Sequence, residues 1–242
     1  MSASPARRNL LPLVGTVVVG IALVVFPQVT QTNWVDHVTD WIPLAIAALG
    51  LNLLTGYNGQ ISVGHGALFG VGAYTAALSV NEWQVPFLAA VAMAGVLCFG
   101  VGVVVGLPAL RIKGLYLALV TLAVATLFPQ ILEQFSDTTG GSTGLSITRR
   151  ELNSRGVLAD REVRWDPPKG SGLAADQWKY YVYVAVAVVC FVVVRNLVHS
   201  RVGRSMIAIR DNETAAEVSG VNVAAVKVFT FGVSAALAGI GG

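Results

Sequence analysis

The segment GYNGQISVGHGALFGVGAY, Gly56 to Tyr74, sets Asn58, Gln60, Ser62 and His65 among closely spaced glycines, inside some of the most apolar sequence of the chain. Three kinds of chemistry would use such residues. GHGALFG, Gly64 to Gly70, is close to a glycine-rich cradle for a dinucleotide, with Glu82 downstream as the ribose-binding acid. That device needs a preceding strand and a βαβ unit, whereas both neighbours here are apolar runs of membrane-spanning length. A catalytic site would need a nucleophile and a base within reach of each other. No HExxH motif occurs, and no acidic residue lies at the depth of His65 to orient it. Gly-Lys-Ser/Thr is also absent, so the segment given has no P-loop for ATP.

The third use is helix packing combined with a polar route. The pairs Gly66/Gly70 and Gly102/Gly106 have the Gly-xxx-Gly spacing that lets helix backbones approach closely where no hydrophobic effect drives association. Packing accounts for the glycines but not for Asn52, Thr55, Asn58, Gln60, Ser62 and His65 around the same break. Polar groups at membrane depth are costly and face a bundle interior or an aqueous cavity. His65 reads either as an interhelical hydrogen-bonding residue or, with the other five, as lining of a polar path.

These residues need a membrane to sit in, and composition supplies one. Of 242 residues, 55% are hydrophobic and 12% charged, against about 25% charged in ordinary soluble domains. The mean hydropathy is +0.68. Apolar runs cover 10–27, 41–55, 61–80, 84–107, 114–132 and 178–198, and a seventh starts at 227. With about 20 residues per crossing, the expected fold is all-α: a polytopic membrane protein of about seven transmembrane helices in one transmembrane domain, 1–242. The 41–55 run is short and ends at Gly56, Asn58 and Gly59, the pattern of a broken helix. The last run stops at Gly242 without a polar flank, which reads as a C-terminally incomplete chain. Cys98 and Cys190 both fall in apolar runs, so neither a disulfide nor a metal or cofactor site is expected.

Charge sets the orientation. Arg7 and Arg8 precede the first run, Arg111 and Lys113 follow the fourth, and Arg195, Arg201, Arg204 and Arg210 follow the sixth. The short loops between, 28–40 and 81–83, carry only acids, so the positive-inside rule puts the N-terminus in the cytoplasm. Loop 133–177 is then outside, and it receives no role beyond its start. There Gly140, Gly141, Ser142, Thr143 and Gly144 form either a membrane-edge turn or a docking face. The segment 199–226 is cytoplasmic. Asp211 and Asn212 are capping types before ETAAEVS, Gly220 is placed to end that short helix, and Asn222 to cap the next. Ala215 and Ala216, flanked by Glu213 and Glu217, suit either a lipid-side connector or insertion into the groove of another protein.

GLNLLTGYNGQISVGHGALFGVGAY, GLYLALVTLAVATL, TTGGSTGL and GRSMIAIRDNETAAEVSGVNV, in that order, together resemble the permease subunits of branched-chain amino-acid ABC importers, with urea permeases as close relatives. The resemblance spreads over most of the chain. It implies a plasma-membrane subunit that pairs with a second, related permease, receives substrate from an extracytoplasmic binding protein, and is driven by two cytoplasmic ATPase subunits. Such permeases carry a Glu-Ala-Ala-x-x-x-Gly loop that docks on the ATPase. Here the register is Thr214-Ala215-Ala216 to Gly220, with Glu213 one residue early. The resemblance therefore implies ATPase coupling through Arg204, Asp211, Asn212, Glu213, Thr214, Ala215, Ala216, Glu217 and Gly220. It also implies the path lining named above and a binding-protein face at Gly140–Gly144. An ATPase-independent carrier is the expectation of another class, and intramembrane charge pairs typical of ion-coupled carriers are missing from the spans.

Overall fold

The structure is a computed structural model that describes residues 20–110, 114–152, 158–162, 167–168 and 172–242. The start of the first apolar run, with Arg7 and Arg8, and the pair Arg111 and Lys113 lie outside the described residues. The architecture is all-α, apart from one small hairpin. In order, the helices are α1 (Gly20–Val29), α2 (Thr32–Leu51), α3 (His65–Trp83), α4 (Phe87–Gly106), α5 (Leu115–Gln134), the single turn α6 (Ser136–Thr139), α7 (Ala175–His199), α8 (Arg201–Asp211), α9 (Glu213–Val218) and α10 (Val223–Gly241). Strands β1 (Thr148–Leu152) and β2 (Leu158–Glu162) pair antiparallel within the 133–177 loop, with Arg150 opposite Asp160.

Among the described residues five helices are long and apolar enough to cross a membrane: Thr32–Tyr57, Phe87–Gly106, Tyr116–Gln134, Ala175–His199 and Val223–Gly241. The helix α3 has 19 residues, about 28 Å of rise, but His65 at one end and Asn81 and Glu82 at the other dilute its apolarity. The largest departure from the expected boundaries is at the second run. It starts at Thr32 rather than 41, because TNWVDHVTDW forms the first turns of the same helix and turns loop 28–40 mostly into helix.

The chain forms two compact units, Met1–Ile42 with Arg164–Val186, and Pro43–Val163 with Ala187–Gly242. In the first, tyrosines on α7 satisfy carbonyls of α1: Tyr180 donates to Leu23 O at 3.2 Å and Tyr181 to Val24 O at 2.9 Å. Gln177 donates to Pro27 O at 2.9 Å, and Lys179 lies 3.6 Å from Asp40.

The second unit is built around α10, on which Phe231, Ala235 and Ala238 have no exposed surface. They pack with Leu54 and Leu68, with Val101 and Val105 against them. Close approach comes from glycines on facing helices: a Cβ on Gly72 would meet the backbone of Gly239, and one on Gly102 would meet Ala235 and the carbonyl of Phe231. Gly106 likewise faces Phe231, and Gly70 faces the Phe128 ring. Gly66 does not belong to this seam. Nothing lies within 4 Å of its Cβ position, because it is on the exposed side of α3. The packing glycines of α3 are Gly70 and Gly72, which are on the side turned to α5 and α10.

Candidate functional site

The broken helix is the centre of the site. At Asn52 the α2 ladder widens into a π-helix, Asn52–Tyr57, a local irregularity often found at functional positions. Leu53 and Leu54 remain fully buried, so the widened turn is held by packing while its last carbonyls lose partners. Two come back. The Gln60 N–H donates to Leu54 O at 3.1 Å, and Arg210 Nη1, from the end of α8, donates to Gly56 O at 2.8 Å. A guanidinium there meets the negative end of the helix. Gly59 makes the approach possible: its φ is +71°, and a Cβ would sit 2.9 Å from Arg210 Cγ.

The six candidate lining residues divide. Asn52 and Thr55 are exposed on the outer side of the π-helix, whereas Asn58, Gln60, Ser62 and His65 turn inward. The inward segment is tied to α5, where Val63 N–H donates to Thr121 Oγ1 at 3.0 Å. His65 Nε2 lies 3.2 Å from Ser234 Oγ, which itself donates to Gly50 O at 2.6 Å. That hydroxyl has one proton and gives it to the carbonyl, so His65 must be the donor in its bond to Ser234 and carries its proton on Nε2. This is the interhelical hydrogen-bonding role. His65 Nδ1, Ser62 Oγ and both heteroatoms of the Asn58 and Gln60 carboxamides have no hydrogen-bond partner among the described residues. Each such group costs about 1–3 kcal/mol when buried and unpaired. Asn58 is 2% and Gln60 5% exposed. Four inward polar side chains with open valences in eight residues are not explained by packing.

The 199–226 segment holds two helices, not one. Ser200 caps α8, accepting from Val202 and Gly203 N–H, and Gly203, Met206 and Ile209 form its buried stripe. Arg204 is exposed. Asp211 is the last residue of α8, held to Arg210 at 3.1 Å, while Asn212 Oδ1 caps α9 through Ala215 N–H at 3.0 Å. Gly220 has a φ of +85°, and Asn222 Oδ1 caps α10 through Ala225 N–H. Ala215 and Ala216 do not share a face: Ala216 is buried, and Thr214, Ala215, Glu217 and Val218 are presented outward, Val218 at 85% exposure.

Two residues outside the expected set complete the site. Lys227, in the first turns of α10, is buried and pairs with Glu213 at 2.8 Å; its side chain is 7% exposed and that of Glu213 26%. With Arg210 it closes a chamber of about 240 Å³, whose wall also includes Asn58, Gln60, Leu117 and Ile209. A lysine inside an apolar run was the only sequence signal for the first, and none existed for the second. Segments around 56–60, 114, 209–213 and 227 thus meet at one end of the bundle.

At the other end, Asn81 donates to Ser146 O at 2.9 Å. The Gly140–Gly144 stretch is a tight turn, with φ of +72°, +54° and +76° at Gly140, Gly141 and Gly144. Thr139 Oγ1 donates to Leu132 O at 2.7 Å and accepts from Gly141 N–H, and Thr143 Oγ1 donates to Gly140 O at 2.6 Å. Its glycines serve turn geometry. Among the described residues no group of His, Cys, Asp and Glu is placed to hold a metal ion.

A family model described as "Branched-chain amino acid transport system / permease component" matches residues 33–242. The high-affinity branched-chain amino acid transport system permease protein LivM of Escherichia coli K12 is 31% identical over all of this chain and 58% of its own length. LivM of Salmonella typhimurium LT2 is 30% identical over 92% of this chain and 54% of its own length. The chain therefore spans a little over half the length of these curated relatives. No solved structure matches it significantly.

Proposed function

Because the chain belongs to the family of branched-chain amino acid transport permease components and is a multi-pass plasma-membrane protein, we propose that it is a membrane subunit of an ATP-driven importer of branched-chain amino acids. In this reading it works beside a second, related permease and two cytoplasmic ATPase subunits, with an extracytoplasmic binding protein delivering substrate near Gly140–Gly144. ATP is hydrolysed on the separate subunits. The observation that carries the reading is the link from α9 to the broken helix. The helix α9 presents Thr214, Ala215, Glu217 and Val218 outward, and the residues before it hold Gly56 O through Arg210. A push on α9 therefore acts on the π-turn and on the inward residues Asn58, Gln60, Ser62 and His65, the proposed path lining. Moving such an equilibrium from 1:99 to 99:1 takes about 5.5 kcal/mol of differential binding, which ATP-driven closure of the ATPase pair would supply.

The test is uptake of labelled L-isoleucine by cells with and without the full-length gene. Gene-dependent uptake, lost in Ala215→Asp and Val218→Asp while both proteins still reach the membrane, supports the reading. Isoleucine uptake that ignores the gene removes the amino-acid assignment, and labelled urea is then the next substrate to try. Uptake that persists after deletion of the ATPase subunits points instead to an independent carrier.

A further inference from the structure

Beside the chamber at the cytoplasmic end lies more unused hydrogen-bonding capacity than a structural void needs. Two of its wall residues, Asn58 and Gln60, are buried with both carboxamides unpartnered among the described residues. Each carboxamide offers two N–H donors and a carbonyl acceptor. Among the described residues of the wall are two cations and two anions, Arg210 and Lys227 against Asp211 and Glu213, with Arg210–Asp211 at 3.1 Å and Lys227–Glu213 at 2.8 Å. Leu117 and Ile209 supply apolar wall. The volume of about 240 Å³ is below the 300–1,000 Å³ of typical pockets for drug-sized molecules, and suits a solute of amino-acid size.

From these features we infer that the chamber is a binding site for a small zwitterion, an α-amino acid with an aliphatic side chain, held at the junction of the broken helix and the coupling segment. The inference rests on the proposed function and adds to it a second station for the cargo, on the side opposite the binding protein. Charge balance selects the ligand class. Arg210 and Asp211 are solvated, with side chains 44% and 63% exposed, so the Lys227–Glu213 pair decides: a lone cation would set a like charge against buried Lys227, and a lone anion would do the same to Glu213. A zwitterion inserted at the Lys227–Glu213 pair gives its carboxylate to the lysine and its ammonium to the glutamate, so no buried charge loses a counter-ion. The carboxamides, whose nitrogens and oxygens are closed off from the chamber before a ligand enters, turn to meet the remaining valences of the same head group, and Leu117 and Ile209 the side chain. An uncharged amide such as urea would satisfy the carboxamides but would have no use for the ion pair.

Occupancy would then be felt by the coupling segment, because Glu213 is the first residue of α9 and Lys227 belongs to α10. Cargo that takes over both ends of this pair loosens α9 from α10 without breaking Arg210's hold on Gly56.

The test uses inside-out membrane vesicles from cells carrying the full-length gene with its partner subunits, without nucleotide, and labelled L-isoleucine as the probe. Gene-dependent saturable binding is expected, weakened by about tenfold or more in Asn58→Leu and Gln60→Met. Isovalerate and isopentylamine, which each carry one of the two charged groups, should compete about tenfold or more less well than L-leucine. Replacing an unpaired buried amide by an apolar residue of like size removes an unsatisfied group, so these variants are expected to insert and fold. Gene-dependent uptake in intact cells together with vesicle binding that is absent, or unchanged in both variants, overturns the chamber and leaves the importer reading standing. Equal competition by isovalerate or isopentylamine also overturns it. Failure of gene-dependent uptake itself would instead remove the proposed function, and the chamber with it.

Discussion

Along one face, α10 meets two neighbourhoods that solve the same problem differently. Against α3 and α4 it is packed backbone to backbone, with Gly239 facing Gly72 and Cys98 and with Ala235 facing Gly102. Near its start it borders the polar break, where Lys227 holds Glu213 and the Asn58 and Gln60 carboxamides stand unpartnered among the described residues. The seam is complete within this chain: small residues bring helices together, and the gain is van der Waals contact. The break is incomplete, because its polar groups have been buried without being used. One region therefore holds the bundle's shape, and the other keeps capacity for something that arrives.

The sharpest way to break the comparison is to make the same substitution on one helix inside and outside the seam. Gly72→Ala places a methyl against the Gly239 backbone, where neither side yields, and should lower stability by about 1–3 kcal/mol as overpacking does. Gly66→Ala, with open space at its Cβ, should be neutral or stabilising by up to about 1 kcal/mol through helix propensity. Thermal unfolding of the two purified variants in detergent separates them, and equal effects would show that the seam is not set by close approach.

Much of the seam was legible in the sequence, and the reason is local. Apolar runs of spanning length, Gly-xxx-Gly spacing and the caps at Asn212 and Asn222 each depend on a few neighbouring residues. The exception was Gly66, whose spacing to Gly70 is right but whose direction on α3 is set by where α5 and α10 lie. The site was less legible. Polarity alone groups six candidate lining residues together, but Asn52 and Thr55 on the π-turn face outward and the next four inward, and periodicity does not report a π-turn. In the α9 helix, six residues are too few for a helical period to tell Ala215 from Ala216. Arg210 reaches Gly56 across 154 positions, a pairing with no trace in either segment alone. The β1–β2 hairpin went unseen because TRREL and LADRE lack the apolar alternation by which a strand is recognised.

Next in size is the ion pair. Lys227→Met removes a buried cation and leaves Glu213, a quarter exposed, without its charged hydrogen bond to α10. A loss of about 1.5–3 kcal/mol is expected from a hydrogen bond between charged groups, with part of the cost relieved by water at the carboxylate. Glu213→Gln should then cost less on the Lys227→Met background than on its own, because the pair is already gone. Additive losses in that double-mutant cycle, read from unfolding in detergent, would mean that the two residues act apart.

A smaller effect is expected at Ser234, which belongs to both regions. Its hydroxyl donates to Gly50 O and accepts from His65 Nε2. Ser234→Ala removes both bonds, yet interhelical hydrogen bonds in membranes average about 0.6 kcal/mol and reach about 1.7 kcal/mol, so the loss should fall within about that range per bond. His65→Ala should remove only one of the two bonds and leave the Gly50 contact, so a larger loss there than in Ser234→Ala would assign His65 a role beyond this link.

The smallest expected effect on stability is the most telling. Asn58→Leu removes two unpartnered buried atoms, each of which costs free energy in the folded state, and puts a side chain with the same branching and number of heavy atoms beside Leu117 and Ile209 in the chamber wall. Unfolding in detergent should therefore be unchanged or shifted upward, while isoleucine uptake by the full-length protein falls. A residue that improves the fold when lost and impairs transport when lost is one kept for its ligand. If Asn58→Leu instead destabilises the protein by as much as Ser234→Ala does, the carboxamide is a structural group with an unseen partner, and the polar break belongs with the seam.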